Sequence, residues 1–119
     1  MFEELASLLF HSRDYGHRAH LASRSHAKHI ALDEFYKTLV DLIDRIVETY
    51  QGRYGFVSIP YLDAQDDATE PEEVLLAHLK ILENVRYRVS DKNDTPLQSQ
   101  LDDVVNLYLS TLYKLHMGK

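Results

Sequence analysis

Five side chains, His17, His29, Asp33, Asp44 and Glu48, have the types and the spacing of a metal site built on helices. His29 and Asp33 stand four residues apart, and so do Asp44 and Glu48. On a helix each such pair shares one face, one turn apart, close enough for both side chains to reach one ion. Imidazole with carboxylates suits iron or zinc, and a carboxylate-rich set favours iron and its chemistry with oxidants. Asp33 and Asp44 are eleven residues apart, close to three whole turns, so both pairs lie on one face. At ~1.5 Å per residue they are still about 16 Å apart along the axis, too far to hold one ion within a single straight helix. Two copies of that helix packed antiparallel across a twofold axis bring the His29/Asp33 end of one to the Asp44/Glu48 end of the other. Such an isologous contact makes two identical sites per dimer. His17 precedes a helix–helix turn by about as much as His29 follows it. The spacing therefore predicts that the two imidazoles face each other across a hairpin and that His17 completes the set.

Histidine is abundant around this set: seven are present, and five fall between His11 and His29. A histidine-rich solvated face is the plain alternative, as is an ordinary charged helix face for Asp44, Arg45 and Glu48. The shared face and the unbroken register favour the site. His20 and His26 flank it by about one turn each and are candidates for an extra ligand or for a group that orients one. His11, His78 and His116 read as ordinary residues, and Tyr36 and Tyr50 as core or interface aromatics.

The elements that must position these residues are four helices. The first runs from about Phe2 to the low twenties, with Phe2, Leu5, Leu8 or Leu9 and Ser12 along one stripe. Ser23 and Ser25 interrupt it, and Ser25 is placed to cap a second helix from about His26 to Tyr50. Ile30, Phe35, Leu39, Leu42, Ile43, Ile46 and Tyr50 recur there at three- and four-residue intervals, and Gly52 and Gly55 end the helix. Residues 52–69 form one long connection containing Pro60 and the acids Asp63, Asp66 and Asp67. Thr69, Pro71 and Glu72 signal the start of a third helix, whose apolar side is Val74, Leu75, Ile81, Leu82, Val85 and Val89. Thr95, Pro96 and Gln98 repeat that signal for a fourth, which carries Leu97, Leu101, Val104, Val105, Tyr108, Leu112 and Leu115 toward Gly118. Two short connections around one long one predict two antiparallel hairpins joined by a crossover, an all-α four-helix bundle of the ferritin-like kind.

Composition bounds the rest. At 119 residues the chain is expected to be one domain, 1–119. No apolar stretch approaches the ~18 residues that a membrane span needs. Glu3 and Glu4 stand where a signal peptide carries lysines, and cysteine is absent, both as expected of a cytoplasmic protein. A formal charge of −6 argues against nucleic acid as a partner, since phosphate binding needs a basic surface.

The run from His17 to Gly55, HRAHLASRSHAKHIALDEFYKTLVDLIDRIVETYQGRYG, resembles the first two helices of the Dps family of miniature ferritins. In that family a histidine is followed after eleven intervening residues by a second, then by an aspartate four on, another aspartate eleven on and a glutamate four further. His17, His29, Asp33, Asp44 and Glu48 meet all five positions without a gap. The stretch from Asp94 to Leu115 resembles the last helix of the family. Arg18 follows His17 where the family has tryptophan, and there is no lysine-rich tail. The resemblance implies ferrous iron bound between two subunits, oxidised by hydrogen peroxide or dioxygen, and stored as ferric mineral in a twelve-subunit shell. It further implies that His29, Asp33, Asp44 and Glu48 hold and bridge iron while His17 completes the shell or holds a second, weaker iron. Two functions are therefore expected: a homo-oligomeric ferroxidase, or a helical dimer that holds iron or zinc without turnover.

Overall fold

Periodicity at three and four residues resolves into four helices: α1 (Phe2–Ala22), α2 (His26–Tyr54), α3 (Pro71–Val89) and α4 (Thr95–Met117). They are seen in a computed structural model that describes residues 1–62 and 70–118. No strand occurs among the described residues. Ser25 caps α2 as its position predicts, its hydroxyl accepting from the Lys28 N–H at 3.4 Å. The helix runs a turn beyond Tyr50. Gly52 lies inside it, and Gly55 ends it with a backbone φ of 98°, in the left-handed region that glycine tolerates. Thr69, expected to cap α3, and the acids Asp63, Asp66 and Asp67 lie outside the described residues. Pro71 opens α3 where its missing N–H costs nothing.

The start of α4 differs from expectation. Asp94 occupies the capping position but does not cap. Its carboxylate accepts from the Tyr54 hydroxyl at 2.6 Å and lies 3.5 Å from Arg53, tying α4 to the end of α2. Gln98, expected to close a capping box, turns inward and bonds Arg86 and Ser90 of the α3–α4 hairpin.

Ion pairs fix the path of the chain. Lys28 and Glu70, 3.7 Å apart, set the start of α3 beside the start of α2. Lys114 reaches Glu34 at 2.9 Å, returning the end of α4 to that same end of the bundle. Hence α2 and α3 run parallel, α1 and α4 run against them, and the end of α2 lies at the opposite end of the bundle from the start of α3. Neighbours are α1·α2, α2·α4, α3·α4 and α1·α3, which leaves α1 diagonal to α4. Two antiparallel hairpins joined by one crossover is the expected architecture. At ~1.5 Å per residue the 29-residue α2 spans about 43 Å, matching the long axis of the molecule, 43 Å.

Core packing holds the α1–α2 hairpin in register. Phe2 stacks on Tyr50 with ring centres 3.8 Å apart, and Phe35 meets Tyr108 edge-on at 5.2 Å. Gly16 permits a close helix approach: a Cβ there would lie 2.8 Å from the Phe35 ring. Ile30 and Ile81, assigned to apolar stripes by periodicity, are instead exposed, because each stripe is wider in sequence than the strip its neighbours cover.

Candidate metal centre

The hairpin turn at residues 23–25 decides which histidines meet. His20 lies in the last turn of α1 and His29 in the first turns of α2, and their rings stack with centres 3.8 Å apart. Each ring also bonds the other residue's backbone: His20 Nδ1 lies 2.7 Å from the His29 carbonyl, and His29 Nδ1 lies 2.8 Å from the His20 carbonyl. A carbonyl oxygen only accepts, so both Nδ1 atoms donate their protons. The His20 carbonyl belongs to the α1 C-terminus, where carbonyls lack helical partners and a histidine is a natural donor. This corrects the expectation that His17 faces His29. Positions 20 and 29 are symmetric about the turn, while His17 lies one turn further back and stacks on Tyr36 at 4.2 Å.

Asp33 joins this cluster. Its Oδ1 lies 3.6 Å from His20 Nε2. Lys37, one turn on, reaches both carboxylate oxygens at 3.0 Å. The Lys37 hydrogen bond is the main reason the Asp33 carboxyl is held below the usual range. Partial burial opposes it; the Lys37 charge, the Tyr36 hydroxyl and His20 add smaller lowering effects. The carboxylate is therefore ionised at neutral pH and already carries an ammonium partner.

Asp44 and Glu48 sit further along α2, both exposed and neither in a hydrogen bond or ion pair among the described residues. They share the outward face with Asp33, about 16 Å away along the helix. Among the described residues no three histidine, aspartate or glutamate side chains converge as a metal ion requires. One chain thus brings together His20, His29 and Asp33, sets His17 beside them, and holds Asp44 and Glu48 apart. The donor chemistry fits a first-row metal, with two imidazoles fixed through Nδ1 as orienting carbonyls commonly fix metal-bound histidines. His26 is exposed at the start of α2.

Spacing from the resemblance pointed to His17 and gave His20 second rank. The signal for His20 was available in the distances of the two histidines from the serine turn. A second buried polar group went unread: Ser12 Oγ lies 2.7 Å from His78 Nδ1, joining α1 to α3.

A family model described as "Family of unknown function (DUF5856)" matches residues 20–115. An uncharacterized 14.6 kDa protein in the mobD-ri intergenic region of Enterobacteria phage T4 is 28% identical over 115 residues, covering 97% of this chain and 88% of that protein. No solved structure matches the chain. No helix among the described residues is long and apolar enough to cross a membrane.

Proposed function

We propose a function for a chain that belongs to the DUF5856 family of unknown function: it binds ferrous iron between two copies of itself on a ferritin-like bundle and oxidises it. The observation that carries this reading is the divided donor set on one face of α2. An imidazole–carboxylate cluster lies at one end, and three turns away lie two exposed carboxylates with no ion pair among the described residues. Placed antiparallel with 33 opposite 44 and 29 opposite 48, two α2 helices join each cluster to the partner's carboxylates. The same register sets Lys37 against the partner's Val40 and beside the partner's Asp41, a cation meeting an acid around a half-buried apolar residue.

Iron is the substrate. The imidazole–carboxylate cluster of one subunit, Asp33 with the histidines of the α1–α2 turn, and Asp44 and Glu48 of the other hold it, and carboxylates favour the ferric product. Two ferrous ions give one electron each to a peroxide, which takes up two protons and leaves as two waters; dioxygen is the alternative oxidant. Zinc, with similar ligand preferences, would bind in place of iron without oxidation. The assembly is at least a homodimer, and the resemblance extends it to a dodecamer.

The test is anaerobic loading with ferrous iron, followed by peroxide or oxygen, with ferric absorbance as the readout. Oxidation above an iron-only blank, abolished by Asp44→Ala with Glu48→Ala, is expected. Unchanged oxidation in that double variant, or a monomer by light scattering, would refute the shared site. Lys37 on both oxygens of Asp33 favours a second reading, a dimer that holds a metal without turnover. Metal binding without oxidation would select it.

A further inference from the structure

The 3.6 Å between His20 Nε2 and Asp33 Oδ1 is the wrong length for one interaction and a suitable length for another. His20 Nδ1 donates to the His29 carbonyl at 2.7 Å, so Nε2 is the ring nitrogen that faces the carboxylate and the one available to a metal ion. A proton would draw the two atoms to about 2.7–2.9 Å, the range of charge-assisted bonds, and 3.6 Å is beyond a hydrogen bond. A divalent ion with nitrogen and oxygen ligands at about 2.0–2.2 Å in tetrahedral array separates neighbouring ligands by roughly 3.4 Å. The pair stands within a few tenths of an ångström of that edge.

We propose that His20 Nε2 and the Asp33 carboxylate are the ligand pair that each chain offers a divalent first-row cation, and that the Lys37 ammonium holds the carboxylate until that cation arrives. His20 thereby takes the place that the resemblance gives to His17. His17 spends its ring face on Tyr36, whereas His20 is fixed by the His29 carbonyl and stacked on the His29 ring. The side chains of His20 and Asp33 are 11% and 27% exposed, so the pair sits in the protein wall yet opens to solvent. Lys37 lies 3.0 Å from both carboxylate oxygens and is itself 63% exposed, free to swing into water when displaced. Remaining positions on the ion fall to water or to the partner's carboxylates. This assignment rests on the hairpin being a metal half-site, but it requires neither iron oxidation nor a second copy.

The experiment is a titration of the full chain with cobalt(II) alone, without oxidant, read by visible absorption. Wild type is expected to bind. Asp33→Asn and His20→Gln should each weaken binding about tenfold or more, a loss at least as large as that from removing an orienting group. His17→Gln should change it less than about twofold, and Lys37→Gln should tighten it several-fold. His20→Gln also removes a bond to the His29 carbonyl, so helicity by circular dichroism accompanies it. Asp33→Asn leaves the reciprocal imidazole–carbonyl bonds intact and decides the matter if the first variant unfolds. Wild-type binding by folded Asp33→Asn, a loss in His17→Gln as deep as in His20→Gln, or no cobalt binding at all would overturn the ligand pair. Unchanged affinity in Lys37→Gln would overturn the placeholder role. Retained cobalt binding with no ferrous oxidation would separate the two proposals, leaving this one standing.

Discussion

Gly16→Ala tests the close approach of α1 and α2 that positions the candidate metal site. The added Cβ would lie 2.8 Å from Phe35 Cδ2 and 3.1 Å from Cε2. Carbon atoms prefer about 3.5–4.0 Å, so the contact must open by roughly 0.7 Å. The Phe35 ring cannot turn away easily, because it is fully buried and set edge-on against Tyr108. Overpacking of this kind costs about 1–3 kcal/mol. Replacing glycine by alanine within a helix returns about 0.8–1 kcal/mol. The net expectation is a loss of about 1 kcal/mol, or a fall of about 4 °C in melting temperature. Gly52→Ala supplies the control, since it lies inside α2 with nothing within 4 Å of an added Cβ. It should gain about 0.5–1 kcal/mol through propensity alone. Urea denaturation of both variants measures the difference directly. If Gly16→Ala stabilises as much as Gly52→Ala, the two helices do not approach as closely as the Phe35 contact requires.

Two further outcomes follow from other contacts. Arg86 is buried, with its Nε on Gln98 Oε1 at 3.0 Å and Nη2 on the Gln98 carbonyl at 2.9 Å; Arg86→Met removes both bonds and leaves the buried Gln98 Oε1 without that donor. It should lower the urea-derived stability by about 1–3 kcal/mol, and a change under about 0.5 kcal/mol would show the α3–α4 hairpin does not need the guanidinium. The Asp33 carboxyl is depressed in the folded chain, so its stabilising effect is complete above its ordinary value of 3.8 and disappears as pH falls through the lowered folded value. Urea midpoints measured from about pH 5 to about pH 2 should therefore fall less steeply in Asp33→Asn than in wild type.

The fold was legible in the sequence where one physical rule acted alone. Ser25 before an amphipathic run could only cap a helix, and Pro71 and Pro96 could only open one. The long 52–69 connection between hairpins with short turns left the crossover as the natural path. Misreadings came where tertiary contacts competed with local chemistry. Thr95 and Gln98 carry capping chemistry, yet Thr95 is already helical behind Asp94, whose carboxylate is engaged by Tyr54 and Arg53 of α2, and Gln98 is engaged by Arg86 of α3 and by Ser90. Gly52 is a helix breaker by propensity, but the long α2 has enough packing from Ile43, Ile46 and Tyr50 to carry through it to Gly55.

The site divides along the same line. Spacing on one helix places Asp33, Asp44 and Glu48 on a common face, because period and rise are fixed by the backbone. Spacing across a turn is weaker evidence, since a shift of one turn exchanges His17 for His20. The exchange is settled by hydrogen bonds that no ligand-spacing rule contains. His29 meets the residue whose carbonyl it can cap in the last turn of α1, and that residue is His20. The same bond fixes the tautomer, and the tautomer decides which nitrogen is left to coordinate. A histidine matched by register but stacked on Tyr36 is therefore a weaker candidate than one whose Nδ1 is already committed and whose Nε2 already faces a carboxylate. Lys37 extends the reasoning to charge. A chain with a net charge of −6 holds its best-placed carboxylate under an ammonium, so a metal ion bound there would have to displace a cation from Asp33, while Asp44 and Glu48 carry no ion pair among the described residues. Two copies joined by α2 would then differ in what each end contributes: one supplies geometry, the other supplies charge.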